Sequence, residues 1–324
     1  MRYDFDEPRR SLLTLRLDNA DASALLTPLG LKADTGRISA SIRSTVGTVF
    51  RGSGTVTALR VRVEGVDMSE LRIPMTWQFS PGGHATLSVR DATGTVANGR
   101  VTARTEIAVN GTANVDGRIE FVDVNVGELA KGFGSSSYGV GKTTGRFDFT
   151  GDAVRNASDM KGDLTAKFGQ TSVRELPILG SITNLLTPVQ SLTRFDSGEM
   201  TAKLGSGQFR IERLHLASPS AKLFAEGTVS LAGRLDLDVA YNTGQIGPSA
   251  PLIRLILRDV PAIGPIPVGL IVRVTEALSN RIVRLHVEGT TDRPAVRVNT
   301  SKLLTENAVR FFVGQYVPLS GVSK

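Results

Sequence analysis

The sequence contains no cysteine, only three histidines and one tryptophan, and just 6% aromatic residues. Without cysteine there are no disulfides, zinc–thiolate sites, iron–sulfur clusters or thiol nucleophiles. His84, His215 and His286 lie far apart in alternating stretches, so each reads as a half-exposed strand residue. No His-Glu-x-x-His or comparable metal-ligand spacing occurs. Long apolar runs are missing too. The first ten residues are polar and charged, without the hydrophobic core of a secretory signal. The segment 252–274 is broken by Arg254, Arg258, Asp259, Arg273 and three prolines. It falls short of the roughly 18 uninterrupted apolar residues that a spanning helix needs. The expectation is a soluble or peripheral chain, or the downstream part of a longer anchored one.

What the sequence has is alternation. At 324 residues, with 40% hydrophobic and 21% charged residues and 34 glycines, it has the composition of a folded chain. Period-two runs fill the first half: Leu13 to Leu17, Ile38 to Ile42, Leu59 to Val63, Leu87 to Val89, Val101 to Val109 and Phe147 to Phe149. Each puts apolar or small residues on one face and Thr, Ser, Arg or Asp on the other, the signature of half-buried antiparallel strands. Thr35-Gly36, Asn98-Gly99, Asn110-Gly111 and Asp116-Gly117 read as turns, so the glycine excess is assigned mostly to turns. A repeat is visible as well. The stretch Leu17 to Leu26 followed by Thr35-Gly36-Arg37-Ile38 matches Phe121 to Ala130 followed by Thr144-Gly145-Arg146-Phe147. The shared unit is a strand, a polar kink, a short helix and a Thr-Gly-Arg entry to the next strand, which implies a sheet growing along one axis.

Further strands are expected at 162–168, 200–239, 283–287 and 295–298. Between them the period changes to three or four. Leu176, Leu179, Ile182, Leu186 and Val189 predict an amphipathic segment over 175–193, followed by a partly helical section over 251–277 and a final helix over 301–316. The net charge is +7, of which +5 falls after residue 245, beside these apolar segments. Basic residues are otherwise dispersed, without the blocks or aromatic interleaving of a nucleic-acid binder. The combination points to an anionic membrane surface and away from nucleic acid.

No catalytic set emerges, so a non-enzymatic protein without cofactor or metal is expected. Gly139 to Thr144 has the end of a phosphate-binding loop, but Ser136 stands where that loop needs glycine, and a strand follows instead of a helix. Gly52-Ser53-Gly54 and Gly205-Ser206-Gly207 lack the spacing of a nucleophile elbow. Asp236 and Asp238 share one strand face and read as solvated carboxylates.

The run from Gly207-Gln208-Phe209 through Ser218-Pro219 and Gly227-Thr228-Val229 to Gly233-Arg234-Leu235-Asp236-Leu237 resembles the C-terminal region of AsmA-like proteins. Glu175-Leu176-Pro177 before it, and Gly289-Thr290 with Pro294-Ala295-Val296 after it, are similar to the same family. The resemblance, clearest over 160–300, implies a member of the AsmA/TamB-like superfamily of bacterial envelope proteins. That implies a mainly β fold: a long curved antiparallel sheet forming a β-groove, with a few amphipathic helices. It also implies a location in the cell envelope, in the periplasm or against a membrane, although the N-terminal anchor usual in the family is not seen. Two segments are expected, a repeating β-groove over 1–160 and the AsmA-like region over 161–324.

The function expected is binding or transfer of phospholipid, with acyl chains and an anionic membrane surface as partners. The alternative is an assembly protein for outer-membrane biogenesis, working with other envelope proteins through strand or groove contacts. Candidate groove residues are Leu15, Ile42, Val61, Val89, Ile107, Phe147, Phe149, Phe168, Leu235, Leu237 and Val239. Candidate membrane contacts are Leu179, Ile182, Leu186, Arg254, Arg258, Phe311 and Phe312.

Overall fold

The structure is a computed structural model that describes residues 11–27, 32–63, 65–125, 127–129, 141–172, 194–219, 221–243, 260–261, 264–278, 282–291, 293–299 and 303–313. It is mainly β. Fifteen antiparallel strands hydrogen-bond in sequence order in one sheet that does not close into a barrel. They are β1 (Ser11–Asp21), β2 (Ala33–Val46), β3 (Phe50–Val63), β4 (Val66–Phe79), β5 (His84–Val96), β6 (Gly99–Asn110), β7 (Thr112–Asn125), β8 (Lys142–Gly151), β9 (Lys161–Ser172), β10 (Arg194–Gly205), β11 (Gln208–Ala217), β12 (Ala221–Ser230), β13 (Arg234–Thr243), β14 (Ile282–Thr290) and β15 (Pro294–Val298). The described helices include α1 (Ala22–Leu26), α2 (Val268–Leu278) and α3 (Glu306–Val313). No described helix is long and apolar enough to cross a membrane. The chain divides into two compact units, Met1–Leu164 with Leu204–Gly207, and Thr165–Lys203 with Gln208–Lys324.

In the first unit a crease runs across the strands. Side chains alternate along a strand, so inward residues should be two apart. At the crease they are three apart, from Leu17 to Ala20, Ala58 to Val61, Met68 to Leu71, Val89 to Ala92 and Phe121 to Val124. Ladder register shifts occur at all five steps. A polar residue with positive φ takes up the extra step in four of the five strands, β1, β4, β5 and β7: Asn19, Glu70, Asp91 and Asp123. Asn and Asp tolerate this backbone best among non-glycine residues. The crease also corrects the simple alternation of Leu59 with Val61 and Val63. Leu59 is 83% exposed while Val61 is buried, because the pleat reverses between them.

The repeat has matching geometry at the crease. Asn19 and Asp123 each donate their backbone N–H to a hydroxyl on the next strand, Ser39 Oγ at 3.0 Å and Thr144 Oγ1 at 3.1 Å. Two residues later Asp21 accepts from the Ser23 amide and Asn125 from the Gly127 amide, each at 2.8 Å, which caps a helical turn. Beyond the crease, Ala22 of α1 is buried with Ala33, Ile38, Ala58 and Val61, and Leu25 and Leu26 pack against the cluster.

In the second unit the register puts Leu223, Leu235, Leu237, Val239, Tyr241, Leu285 and Val287 on one sheet face, and all are buried. The opposite face carries Phe224, Ala240 and Ile282 at one end, under α2 and α3. Helix α3 forms because Thr305 Oγ1 accepts from the Ala308 amide at its start, and Glu306 accepts from Arg310 one turn on, at 2.9 Å. Arg310 also donates to the Pro261 and Gly264 carbonyls, which ties the segment before α2 to α3. Phe311 and Phe312, 5% and 1% exposed, pack against the sheet. This corrects their assignment as membrane contacts: the apolar face of α3 meets protein. Leu179, Ile182, Leu186, Arg254 and Arg258 lie outside the described residues.

His215 corrects the half-exposed reading. It is buried, its ring 5.1 Å from that of Phe311. Burial pushes its pKa from 6.5 down to about 4, opposed by Glu199 and assisted by Arg213. Between those values the unfolded chain binds a proton that the folded chain refuses. Stability should therefore be full above pH 6.5 and fall as pH drops toward 4. In urea unfolding as a function of pH, His215→Leu is expected to flatten this limb. At the crease, Asp91→Val is expected to cost about 1–2 kcal/mol. Asp91→Gly should stay within about 0.5 kcal/mol of the parent in the same assay.

Candidate functional site

Register partners share a sheet face, so the ladder itself defines the candidate site in the first unit. One row runs Leu15, Ile42, Gly54, Met75, Val89, Thr105, Gly117 and Phe149 across β1 to β8. A neighbouring row runs Leu13, Ser44, Gly52, Trp77, Leu87, Ile107, Val115 and Gly151. Nearer the crease, Leu17, Ala40, Val56 and Ile73 continue the face on one side, and Ala103, Ile119 and Phe147 on the other. No charged side chain interrupts these rows. At strand spacings near 4.8 Å, eight strands make a face about 33 Å wide. Most of it is half-buried, with Leu15 at 54% and Phe79 at 51% exposure.

Six candidate groove residues, Leu15, Ile42, Val89, Ile107, Phe147 and Phe149, therefore lie on one continuous face. Val61 lies beyond the crease, buried against the α1 cluster. In the second unit, Leu235, Leu237 and Val239 sit side by side on the buried face. Phe168 belongs to that face as well. A Cβ added at Gly198 would meet both Phe168 and Leu216, the register partner of Leu223.

Alternation alone misses β4, although Leu71, Ile73, Met75, Trp77 and Phe79 alternate correctly. Pro74 interrupts the run, and proline ordinarily argues against an inner strand. The turn assignment of the glycines is also corrected. Gly117 lies inside β7 and Gly52 inside β3. A Cβ at Gly117 would fall 2.3 Å from the Phe149 ring, and one at Gly52 would fall 2.3 Å from the Trp77 indole. These glycines make room for aromatic rings that reach over them on the apolar face.

The reverse face is polar. Between β2 and β5 it carries Ser41, Arg43, Ser53, Thr55, Thr76, Ser88 and Arg90 around a depression of about 470 Å³. In the second unit the polar face joins Asp236, Asp238, His286 and Glu288. His286 Nδ1 is 3.1 Å from Asp238, and its Nε2 is 3.1 Å from Glu288 and 3.6 Å from Asp236. The two aspartates are thus linked through a histidine on the next strand. Among the described residues no group of three or more His, Asp or Glu is arranged to hold a metal ion. Lys142 and Thr143, from the loop resembling a phosphate-binding loop, open strand β8.

Comparison of the chain with protein-family models, curated proteins and solved structures gives no match.

Trp77 is the sole tryptophan and so reports on this face. Gly52→Ala is expected to push the indole outward, shift its emission to the red and cost about 1–3 kcal/mol in urea unfolding.

Proposed function

We propose that this protein is a non-enzymatic lipid-binding module that holds acyl chains against the apolar face of its first unit. The carrying observation is the mostly apolar, charge-free surface spanning β1 to β8, broken only by the hydroxyls of Ser44 and Thr105 in its two long rows, half-exposed and backed by a polar face. Monomeric soluble proteins rarely leave so large an apolar surface without a partner. Acyl methylenes suit it because the face offers shape and apolar area with almost no hydrogen-bonding groups. Burying about ten methylenes would contribute roughly 8 kcal/mol. Trp77 and Phe149, which reach over Gly52 and Gly117, add aromatic area to the same face. The resemblance of 160–300 to AsmA-like proteins supports the same reading, with a location in the bacterial cell envelope as part of the proposal.

Protein purified without detergent is expected to carry phospholipid, detected by native mass spectrometry and by extraction. The Val89→Asp/Ile107→Asp variant puts two carboxylates in the middle of the face and should lower the bound lipid at least tenfold. A blue shift of Trp77 emission on adding phospholipid to stripped protein should disappear in the same variant. Full lipid loading by that variant, with an unchanged circular dichroism spectrum, would overturn the reading. Leu237→Asp is unsuitable for this purpose, because Leu237 is 4% exposed and a carboxylate there would destabilise the second unit.

A further inference from the structure

The depression on the polar face lies behind the apolar rows and is a separate feature from them. Its walls follow from the ladder. Arg43 opposes Ser53, Ser53 opposes Thr76, and Thr76 opposes Ser88, forming one row across four strands. In the adjacent row Ser41 opposes Thr55, and Thr55 opposes Pro74. Arg43 and Arg90 therefore stand at opposite margins of a floor made of hydroxyls and Pro74. Backbone polar groups in the floor are largely engaged in the sheet, so side-chain donors dominate what a ligand would meet.

The charge in this depression is one-sided. No carboxylate lines it. The Arg43 guanidinium has no hydrogen-bond or ion-pair partner among the described residues. Arg90 uses only its Nε, donated to Ser88 Oγ at 3.3 Å, and its terminal nitrogens stay available. The smaller depression of about 190 Å³ further along the same face is different. It contains Asp91 and Glu120 beside Arg104 and Arg118, and Arg118 is already held by Asp148. Carboxylates thus line one depression and not the other, where the next residue of the row is Glu106, opposite Ser88.

We propose that the depression between Arg43 and Arg90 binds a phosphorylated polyol. Two guanidiniums present forked donors that suit a phosphate. The hydroxyls of Ser53, Thr55, Thr76 and Ser88 both donate and accept, as a polyol requires. A volume of about 470 Å³ is within the range of small-ligand sites and exceeds what inorganic phosphate alone would fill. The polyol phosphate can come from a lipid headgroup or from a soluble metabolite. The site does not depend on the apolar-face reading, since it uses side chains of the opposite face.

Isothermal titration calorimetry at low salt, with glycerol 3-phosphate as the probe, tests this directly. One-to-one binding is expected, weakening as sodium chloride rises. Arg43→Gln and Arg90→Gln should each weaken it by roughly tenfold. Both positions are solvent-exposed, and thermal melts of the variants should match the parent. Inorganic phosphate should bind at least tenfold more weakly than glycerol 3-phosphate, and equal affinity overturns the proposal. So does an absence of binding, or equal binding by the parent and the double variant. Co-sedimentation with phosphatidylglycerol vesicles in a phosphatidylcholine background separates the two sources. Vesicle binding that falls in the variants identifies a headgroup, while vesicle binding indifferent to them identifies a soluble ligand; both uphold the site. Lipid carried by the apolar face should stay within twofold of the parent in these variants, so failure of either reading is seen separately.

Discussion

Everything in the first unit depends on the register of its ladder. A slip of one residue in any strand would move the whole apolar set of that strand to the polar face. The sheet nevertheless contains a crease at which the inward spacing becomes three. Each local shift would scramble the two faces if it stood alone. It does not, because the shifts in β1, β3, β4, β5 and β7 fall in neighbouring positions across the ladder. The pleat therefore reverses along a line, and both sides of that line keep one apolar and one polar face.

That constraint explains which features the sequence reveals and which it hides. Period-two alternation needs only the pleat, so most strands, their apolar residues and the open mainly β architecture are legible. The repeat is legible because the helix cap uses a side chain, at Asp21 and again at Asn125, and the kink takes a polar residue that tolerates positive φ, at Asn19 and again at Asp123. The crease residues are harder to see. Glu70 and Asp91 have positive φ without any sequence mark that separates them from other polar strand residues. Leu59 is misplaced for the same reason, since simple alternation cannot register a reversal one residue away. Gly52 and Gly117 look like turn glycines until the rings that occupy their Cβ positions are seen, and those rings come from neighbouring strands.

Helix α3 makes a different point. Phe311 and Phe312 repeat with the spacing of an apolar helix face, and that spacing is the same whether the face meets lipid or protein. The partner is set by tertiary structure. Here it is the sheet, with Phe224 6.1 Å from Phe311 between ring centres and Lys222 lying 5.7 Å from the same ring. The basic residues near α3 are likewise used internally. Arg310 spends its donors on Glu306 and two backbone carbonyls, and so contributes nothing to a free basic surface. Charge and amphipathicity read from sequence thus overstate what this helix can offer a membrane.

The two units handle apolar area in opposite ways. In the second, Leu223, Leu285 and Val287 are at most 1% exposed, so their face is already satisfied and adds to stability. In the first, Leu15, Phe50 and Phe79 remain more than 40% exposed on a face without charge. An open face gains nothing for folding from the exposed half of those side chains, and it raises the risk of self-association. Replacing them with Ser or Thr, already abundant on the reverse face, would remove that risk at little cost to the ladder. Stability therefore does not account for the apolar residues kept there, whereas a partner that covers them does. The polar face presents the same argument in electrostatic form: Arg43 and Arg90 flank a floor of hydroxyls and Pro74 without a carboxylate, while Arg118 and Arg146 further along are paired with Asp148. In both cases the informative quantity is what the fold leaves unsatisfied, and the chemistry of each remainder names the ligand that would complete it.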